Sequence, residues 1–151
     1  MRVHIGSDHA GFDLKQHLVS VLTEKGYEVV DHGAPTYDAE DDYPTFCLPA
    51  AEAVVADPGS LGIVIGGSGN GEAIAANKVD GVRCALAWSE DTAKLGRQHN
   101  NANVVSVGGR MHTTDEATQL VEWFLETPFS EDARHERRIQ LLLDYEKQRG
   151  A

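Results

Sequence analysis

The residues best placed to do chemistry in this chain lie together after a short apolar run. Leu61–Gly66 is typical of a buried strand, and it leads into a turn that carries Ser68 and ends at the carboxylate of Glu72. The turn is rich in glycine, at Gly66, Gly67, Gly69 and Gly71. Glycine allows backbone conformations closed to other residues and a close approach to a ligand. Because a helix begins here, its free N–H groups would stabilise a small anion or a developing oxyanion, and Glu72 becomes a candidate proton carrier.

This glycine turn resembles nucleotide-binding loops but matches none of their patterns. A Walker loop ends in Gly-Lys-Ser/Thr, whereas Gly71 is followed by Glu72. A dinucleotide fingerprint would follow the first strand, which leads here into GSDHAG. A purely structural turn would not need four glycines, so we favour a ligand cradle. The residues alone leave Glu72 open as a base or as an acid that complements the helix dipole.

Further polar groups follow other predicted elements. Asp8 and His9 follow the first strand, where Asp8 could also cap a helix; His99 and Asn100 end the fourth helix, and Arg110 follows the fifth strand. Ligands of open α/β sheets bind beyond the carboxyl ends of the strands, so we expect these groups and the glycine turn near one crevice. A metal site among the aspartate and the two histidines is weakly supported, because no ligand pair has H-x-x-x-H spacing.

A basic cluster, RHERR, is conspicuous near the end of an otherwise acidic chain. Arg134 and Arg138 are four residues apart on a predicted helix and therefore share one face. Paired guanidinium groups suit a phosphate, and this interpretation is favoured over an exposed basic patch. Ile139, Leu142 and Leu143 form the predicted apolar stripe of the same helix.

Composition excludes several classes of protein. The net charge of −11 disfavours nonspecific binding to nucleic acid or to an anionic membrane. No apolar run is long enough to span a bilayer, and the first residues do not form a signal peptide. Cys47 and Cys84 lack metal-ligand spacing and are expected to be reduced thiols. We therefore expect a cytoplasmic protein without a membrane or nucleic-acid partner.

Alternating β-like and helical segments predict the fold. The predicted strands are Val3–Gly6, Tyr27–Gly33, Leu61–Gly66, Arg83–Trp88 and Val104–Gly108. Helices are expected between them, ending in a C-terminal helix from about Glu131 to Gln148. Such alternation predicts a single α/β domain over residues 1–151, a three-layer Rossmann-like sandwich with a five-stranded parallel sheet. Trp88, Trp123 and Phe124 are expected in its core.

Taken together, these segments resemble the ribose-5-phosphate isomerase B family over nearly the whole chain. The resemblance rests on SDHAG (7–11), DYP (42–44), GGSGNGEAIAANKV (66–79), RCALAW (83–88), HNNANVVSVGGR (99–110) and RHERR (134–138). It implies interconversion of ribose 5-phosphate and ribulose 5-phosphate through an enediolate, with no metal or other cofactor. Related isomerases act on allose, galactose or tetrulose phosphates, so another sugar phosphate remains an alternative.

One branch of that family has a cysteine as the proton-transfer base at the position of Gly66. This chain lacks that cysteine and resembles the actinobacterial branch, in which a glutamate matching Glu72 takes over. The resemblance implies that Glu72 moves the proton between C2 and C1, while Ser68 and the amides near Gly67, Gly69 and Gly71 hold the enediolate oxygens. Burial should raise the pKa of this glutamate and the adjacent helix end should lower it, and the sequence leaves that balance open.

The same resemblance assigns the remaining roles. His99 would help to open the furanose ring, with Asp8 relaying a hydroxyl proton, and Tyr43 and Asn100 would position the sugar. The phosphate would be bound by His9, Arg110, Arg134 and Arg138. The family builds its active site between two subunits, so we expect a homodimer, or a tetramer, in which His99 and Arg110 come from the partner chain.

Overall fold

The chain folds around one parallel sheet. The computed structural model describes residues 1–150 of the chain. Its strands are β1 (Arg2–Ser7), β2 (Glu28–Asp31), β3 (Leu61–Gly66), β4 (Cys84–Leu86) and β5 (Val104–Gly108). The order across the sheet is β2-β1-β3-β5-β4, and every neighbouring pair is parallel. The predicted five-stranded parallel sheet is therefore confirmed, with β2 and β4 shorter than the sequence indicated.

Helices connect the strands as the alternating pattern predicted. They are α1 (Phe12–Glu24), α2 (Pro44–Ala56), α3 (Asn70–Asn77), α4 (Glu90–Asn100), α5 (Thr114–Glu126) and α6 (Ala133–Gly150). A short 3-10 turn, His9–Gly11, precedes α1, and the Asp8 carboxylate caps it by accepting from the amide of Ala10. Ser89 and Thr113 begin α4 and α5 with capping boxes.

The two faces of the sheet carry separate apolar clusters. On one face, α1, α4 and α5 pack over side chains such as Ile5, Ile63 and Val105. On the other face, α2 and α3 cover side chains that include Val64 and Val104. A sheet buried on both faces has nearly continuous apolar strands, and all six residues of β3 are buried. The three-layer Rossmann-like sandwich is confirmed.

Two predicted core positions are wrong. Trp88 is 64% exposed, because β4 ends at Leu86 and the tryptophan lies on the turn before α4. Leu142, in the predicted apolar stripe, is 54% exposed, because the later turns of α6 reach the segment before β4 mainly through polar contacts such as Glu146 with the Gly81 amide. Phe124 is fully buried and Trp123 is partly buried, as expected. Among residues 1–150, no helix combines the length and the apolar character needed to cross a bilayer.

Candidate active site

The glycine turn is held in one conformation by its neighbour, β5. Gly69 has φ +87°, which lies in the left-handed region that favours glycine, and an added Cβ would lie 2.8 Å from the Leu86 side chain. The Ser106 hydroxyl donates to the Gly69 carbonyl at 2.6 Å. The Gly66 carbonyl accepts from the amide of Gly109 at 2.7 Å. These contacts fix the turn in place at the carboxyl end of the sheet.

Glu72 lies in the first turn of α3, and its carboxylate folds back over the end of β3. A Cβ added to Gly66 would lie only 1.5 Å from Glu72 Oε1 and 2.5 Å from Oε2. The carboxylate therefore occupies the space that any other residue at position 66 would need. Glu72 is 4% exposed, and its Oε1 has no hydrogen-bond partner among residues 1–150. The acid is buried at the end of the glycine turn instead of pointing into bulk water.

The surroundings of this carboxylate decide whether burial or the adjacent helix end dominates the pKa of Glu72, which the sequence left open. Burial is the main cause that raises the pKa of Glu72, and the nearby negative charge of Asp8 raises it further. The backbone amides of Gly69 and of Glu72 itself act in the opposite direction. Burial prevails, so the pKa lies above that of an ordinary glutamate, which suits a general base that works near neutral pH.

A second acid and a histidine follow β1 at the same edge. Asp8 is buried, with 7% of the residue exposed, and its negative charge raises the pKa of Glu72. The His9 backbone amide and ring Nδ1 both lie within hydrogen-bonding distance of Asp41 Oδ1, at 2.9 and 2.8 Å. Asp41 was not among the predicted site residues, because it belongs to a run of acids that is typical of solvated surface. Its only sequence signal is its place beside the DYP motif.

Tyr43 and Arg110 complete the same edge. The Tyr43 ring lies against Gly71, where an added Cβ would come within 2.7 Å of Cζ. The Arg110 side chain lies beside Gly67, and its amide donates to the Gly67 carbonyl at 3.0 Å. Arg110 therefore reaches the glycine turn of its own chain, which corrects the expectation that a partner supplies it. We call this region the strand-end crevice; it comprises Asp8, His9, Asp41, Tyr43, the glycine turn with Ser68, Glu72 and Arg110.

His99 and Asn100 are not part of the strand-end crevice of their own chain, so the prediction of one crevice is wrong for them. Their helix, α4, runs antiparallel to the strands that it connects, and it therefore ends at the opposite edge of the sheet. Arg83, just before β4, donates to the Asn100 carbonyl at 2.9 Å. Asn103, just before β5, accepts from the Gly62 amide at the start of β3.

The basic cluster lies with His99 at this opposite edge. The His99 and His135 rings are 4.3 Å apart between centroids, and a cavity of about 200 Å³ is lined by residues that include Asn100 and Arg138. His135 is buried, and this burial lowers its pKa. Arg134 is exposed near the start of α6. We call this region the α4–α6 edge; it comprises His99, Asn100, Arg134, His135 and Arg138. His135 was not predicted, because it lay inside RHERR without a motif of its own.

One group of residues in the strand-end crevice has the composition of a metal site. Asp8, His9 and Asp41 each place one potential ligand atom within 4.8 Å of the other two. The His9 ring nitrogen is already 2.8 Å from Asp41 Oδ1, which is a hydrogen-bonding distance. His9 and Asp41 thus form a hydrogen-bonded pair, and Asp8 Oδ2 lies 4.0 Å from His9 Nδ1.

Comparison with known proteins identifies the family. The family model described as Ribose/Galactose Isomerase matches residues 3–142. The chain belongs to this family. Within it, the chain is 60% identical to ribose-5-phosphate isomerase B from Mycolicibacterium paratuberculosis over 97% of this chain and 92% of that protein. It is also similar to the Mycoplasma genitalium ribose-5-phosphate isomerase B solved with bound ribulose 5-phosphate, at 44% identity and a TM-score of 0.92, over 97% and 96% of the two chains. The enzyme from Clostridium thermocellum gives a TM-score of 0.93 at 40% identity, over 98% and 99%.

In this member of the ribose/galactose isomerase family, the predicted site residues thus fall into two sets. The strand-end crevice holds a buried carboxylate, a preorganised glycine turn and two potential cations, His9 and Arg110. The α4–α6 edge holds two arginines and two histidines. Neither set alone contains every group expected for ring opening, proton transfer and phosphate binding.

Proposed function

We propose that this protein interconverts ribose 5-phosphate and ribulose 5-phosphate through an enediolate. The observation that carries the proposal is the Glu72 carboxylate, which is buried over Gly66 at the end of a glycine turn. The names of the relatives support the substrate, and so does the ribulose 5-phosphate bound in the Mycoplasma genitalium enzyme. An aldose–ketose isomerase needs a base beside the sugar carbon and donors for the oxygen that becomes negative, and this arrangement provides both.

Glu72 is the proposed base that carries the proton between C2 and C1. Burial raises the pKa of Glu72, and a stronger base abstracts a carbon-bound proton more readily. Removal of that proton creates negative charge on the C1 and C2 oxygens. The Ser68 hydroxyl and the amides around Gly67, Gly69 and Gly71 are the proposed donors, and each well-placed donor lowers such a barrier by roughly 3–4 kcal/mol in acyl transfer.

The phosphate is proposed to lie between the two sets of residues. His9 and Arg110 approach it from the strand-end crevice, and Arg134 and Arg138 approach it from the α4–α6 edge. Guanidinium groups bind a phosphate through paired hydrogen bonds, so the three arginines together with the His9 ring would fix the distal end of the sugar. Tyr43 and Asn100 are proposed to position the sugar, while His99 and Asp8 move the protons that open the furanose ring.

Because the two sets lie at opposite edges of the sheet, we propose a homodimer, or a tetramer built from such dimers, in which each site is shared. A second copy would bring its α4–α6 edge to the strand-end crevice of the first copy. Large apolar side chains exposed near these regions are consistent with a partner surface: Ile74, Trp88, Met111, Leu141 and Leu142. The proposed location of the enzyme is the cytoplasm.

Replacement of the proposed base tests the function directly. We expect Glu72→Gln to abolish exchange of the substrate C2 proton with solvent, because the amide cannot accept it. Affinity for ribose 5-phosphate should change little, since the phosphate contacts remain. Proton exchange followed by NMR in deuterated buffer measures the first quantity, and calorimetric titration measures the second. Exchange at the wild-type rate in this variant would refute the assignment of the base.

A panel of pentose and hexose phosphates tests the substrate. We expect ribose 5-phosphate to give the highest kcat/KM, with allose, galactose and tetrulose phosphates as the comparison.

The kcat/KM of the wild-type enzyme should fall on acidification, because Glu72 must be ionised to act. The midpoint of this fall should lie above the ordinary glutamate pKa, since burial raises the pKa of Glu72.

A further inference from the structure

The acidic loop before α2 sends one carboxylate inward to the strand-end crevice. The Asp41 side chain is 10% exposed, and its Oδ1 lies 2.9 Å from the His9 amide and 2.8 Å from His9 Nδ1. The other oxygen, Oδ2, is buried without a hydrogen-bond partner among residues 1–150. A buried carboxylate is costly unless a cation or hydrogen-bond donors compensate it, and the partner available to this one is His9.

We propose that Asp41 is a positioning residue that holds the His9 ring as an imidazolium aimed at the substrate phosphate. This inference rests on the proposed function, in which His9 binds that phosphate. With Nδ1–H committed to Asp41, the ring cannot adopt the tautomer that would present Nδ1 to the ligand. Its Nε2–H is then the donor left for a phosphate oxygen, with a positive charge behind it.

On balance, the groups around His9 favour its protonated form. The pKa of His9 is raised, with the hydrogen bond to Asp41 as the largest cause and the charge of Asp8, whose Oδ2 lies 4.0 Å from Nδ1, adding to it. Partial burial and the positive charge of Arg110 oppose this rise. The Tyr37 ring packs edge-on against the His9 ring, with 6.4 Å between the centroids, and is a packing contact. A raised pKa means that the cation persists to a higher pH before it is lost.

A purely structural role for Asp41 would be to anchor the loop on the 3-10 turn by accepting the His9 amide. The substitution Asp41→Asn separates the two roles, because asparagine keeps an acceptor oxygen but removes the negative charge. Glu40→Gln is the matched control. It neutralises an exposed carboxylate on the neighbouring residue and leaves the network around His9 intact.

The test combines a titration without turnover with a kinetic profile. The C2–H resonances of the seven histidines are followed by NMR against pH, with the His9 signal assigned by its loss in His9→Gln. We expect Asp41→Asn to lower the His9 pKa and Glu40→Gln to leave it unchanged. We also expect Asp41→Asn to weaken binding of inorganic phosphate and to raise KM for ribose 5-phosphate by about tenfold at a pH between the two measured His9 pKa values, with kcat within about twofold of wild type. The KM difference should shrink below the lower of the two His9 pKa values, where both enzymes carry the cation.

Each outcome bears on the proposal. An unchanged His9 pKa in Asp41→Asn overturns it, and so does a KM increase that stays the same at all pH values, since that would indicate a structural anchor. The proposed isomerase function fails separately, through absence of turnover on every sugar phosphate. The NMR titration and the binding of inorganic phosphate would still report on Asp41 in that case.

Discussion

At the scale of single residues, Gly66 and Glu72 share one volume of space. The carboxylate lies where a Cβ at position 66 would be, so the glycine is a steric requirement for the acid to reach its place. We expect Gly66→Ala to displace the Glu72 carboxylate by rotation of its flexible side chain, with little loss of stability. Loss of a positioned base costs about 10²–10⁴-fold in rate, so kcat should fall by at least about 10²-fold while KM changes little. Steady-state kinetics and a thermal melt measure the two effects.

The double variant Gly66→Ala/Glu72→Gln is the control for this explanation. If the alanine acts only by moving the carboxylate, its effect disappears once the carboxylate is gone, and the double variant should equal Glu72→Gln in kcat. A further large loss of activity in the double variant would mean that Gly66→Ala disturbs the glycine turn itself. Wild-type kcat in Gly66→Ala would show that the acid does not need this position.

At the scale of elements, the end of α4 is held by arginine side chains. Arg97 donates to the Thr127 carbonyl at 3.1 Å, the Asn101 side chain at 2.9 Å and the Ala102 carbonyl at 2.6 Å. Asn101 itself has φ 44°, so the helix ends in a left-handed residue that these bonds stabilise. Removal of the guanidinium would take the partner from three acceptors that are partly buried.

We therefore expect Arg97→Met to lower the free energy of unfolding by about 2–3 kcal/mol in total, because an unpaired acceptor costs about 1–3 kcal/mol when fully buried and these three are partly buried. Arg137→Met makes the same chemical change at an exposed position of α6 and should stay within about 0.5 kcal/mol of wild type. Urea unfolding of the three proteins at one protein concentration measures the difference. Equal stability of the two variants would contradict the role of Arg97 at the end of the helix.

Elements were more predictable from this sequence than the contacts between them. Apolar runs separated by helical segments indicate a parallel sheet, and the glycine turn before Glu72 marks a cradle because its chemistry is local. The place of His99 depends on the direction of its helix. Because α4 returns from the carboxyl end of β4 to the start of β5, His99 lies at the edge of the sheet opposite the strand-end crevice. Asp41 belongs to a run of acids, and only the packing of that loop against His9 distinguishes it from exposed Asp38 and Glu40.

At the scale of the whole molecule, the separation of the strand-end crevice from the α4–α6 edge makes a prediction about assembly. If each site combines the two regions from different subunits, two variants that are each inactive can restore activity together. Glu72→Gln removes the base on one side. The double variant Arg134→Ala/Arg138→Ala removes the phosphate contacts on the other side, and we expect it to raise KM strongly.

Co-expression of these two variants should produce mixed dimers in which one site is intact and the other carries all the changes. Random assembly makes half of the dimers mixed, and each of these has one working site of two, so kcat/KM should recover to about a quarter of the wild-type value. Each variant expressed alone is the baseline. The assay is run at substrate concentrations well below the wild-type KM, so that the rate reports kcat/KM and includes the loss of the phosphate contacts. Activity no higher than the mean of the two baselines would mean that the base and the arginines act within single chains. That result would contradict the shared site inferred from their places at opposite edges of the sheet.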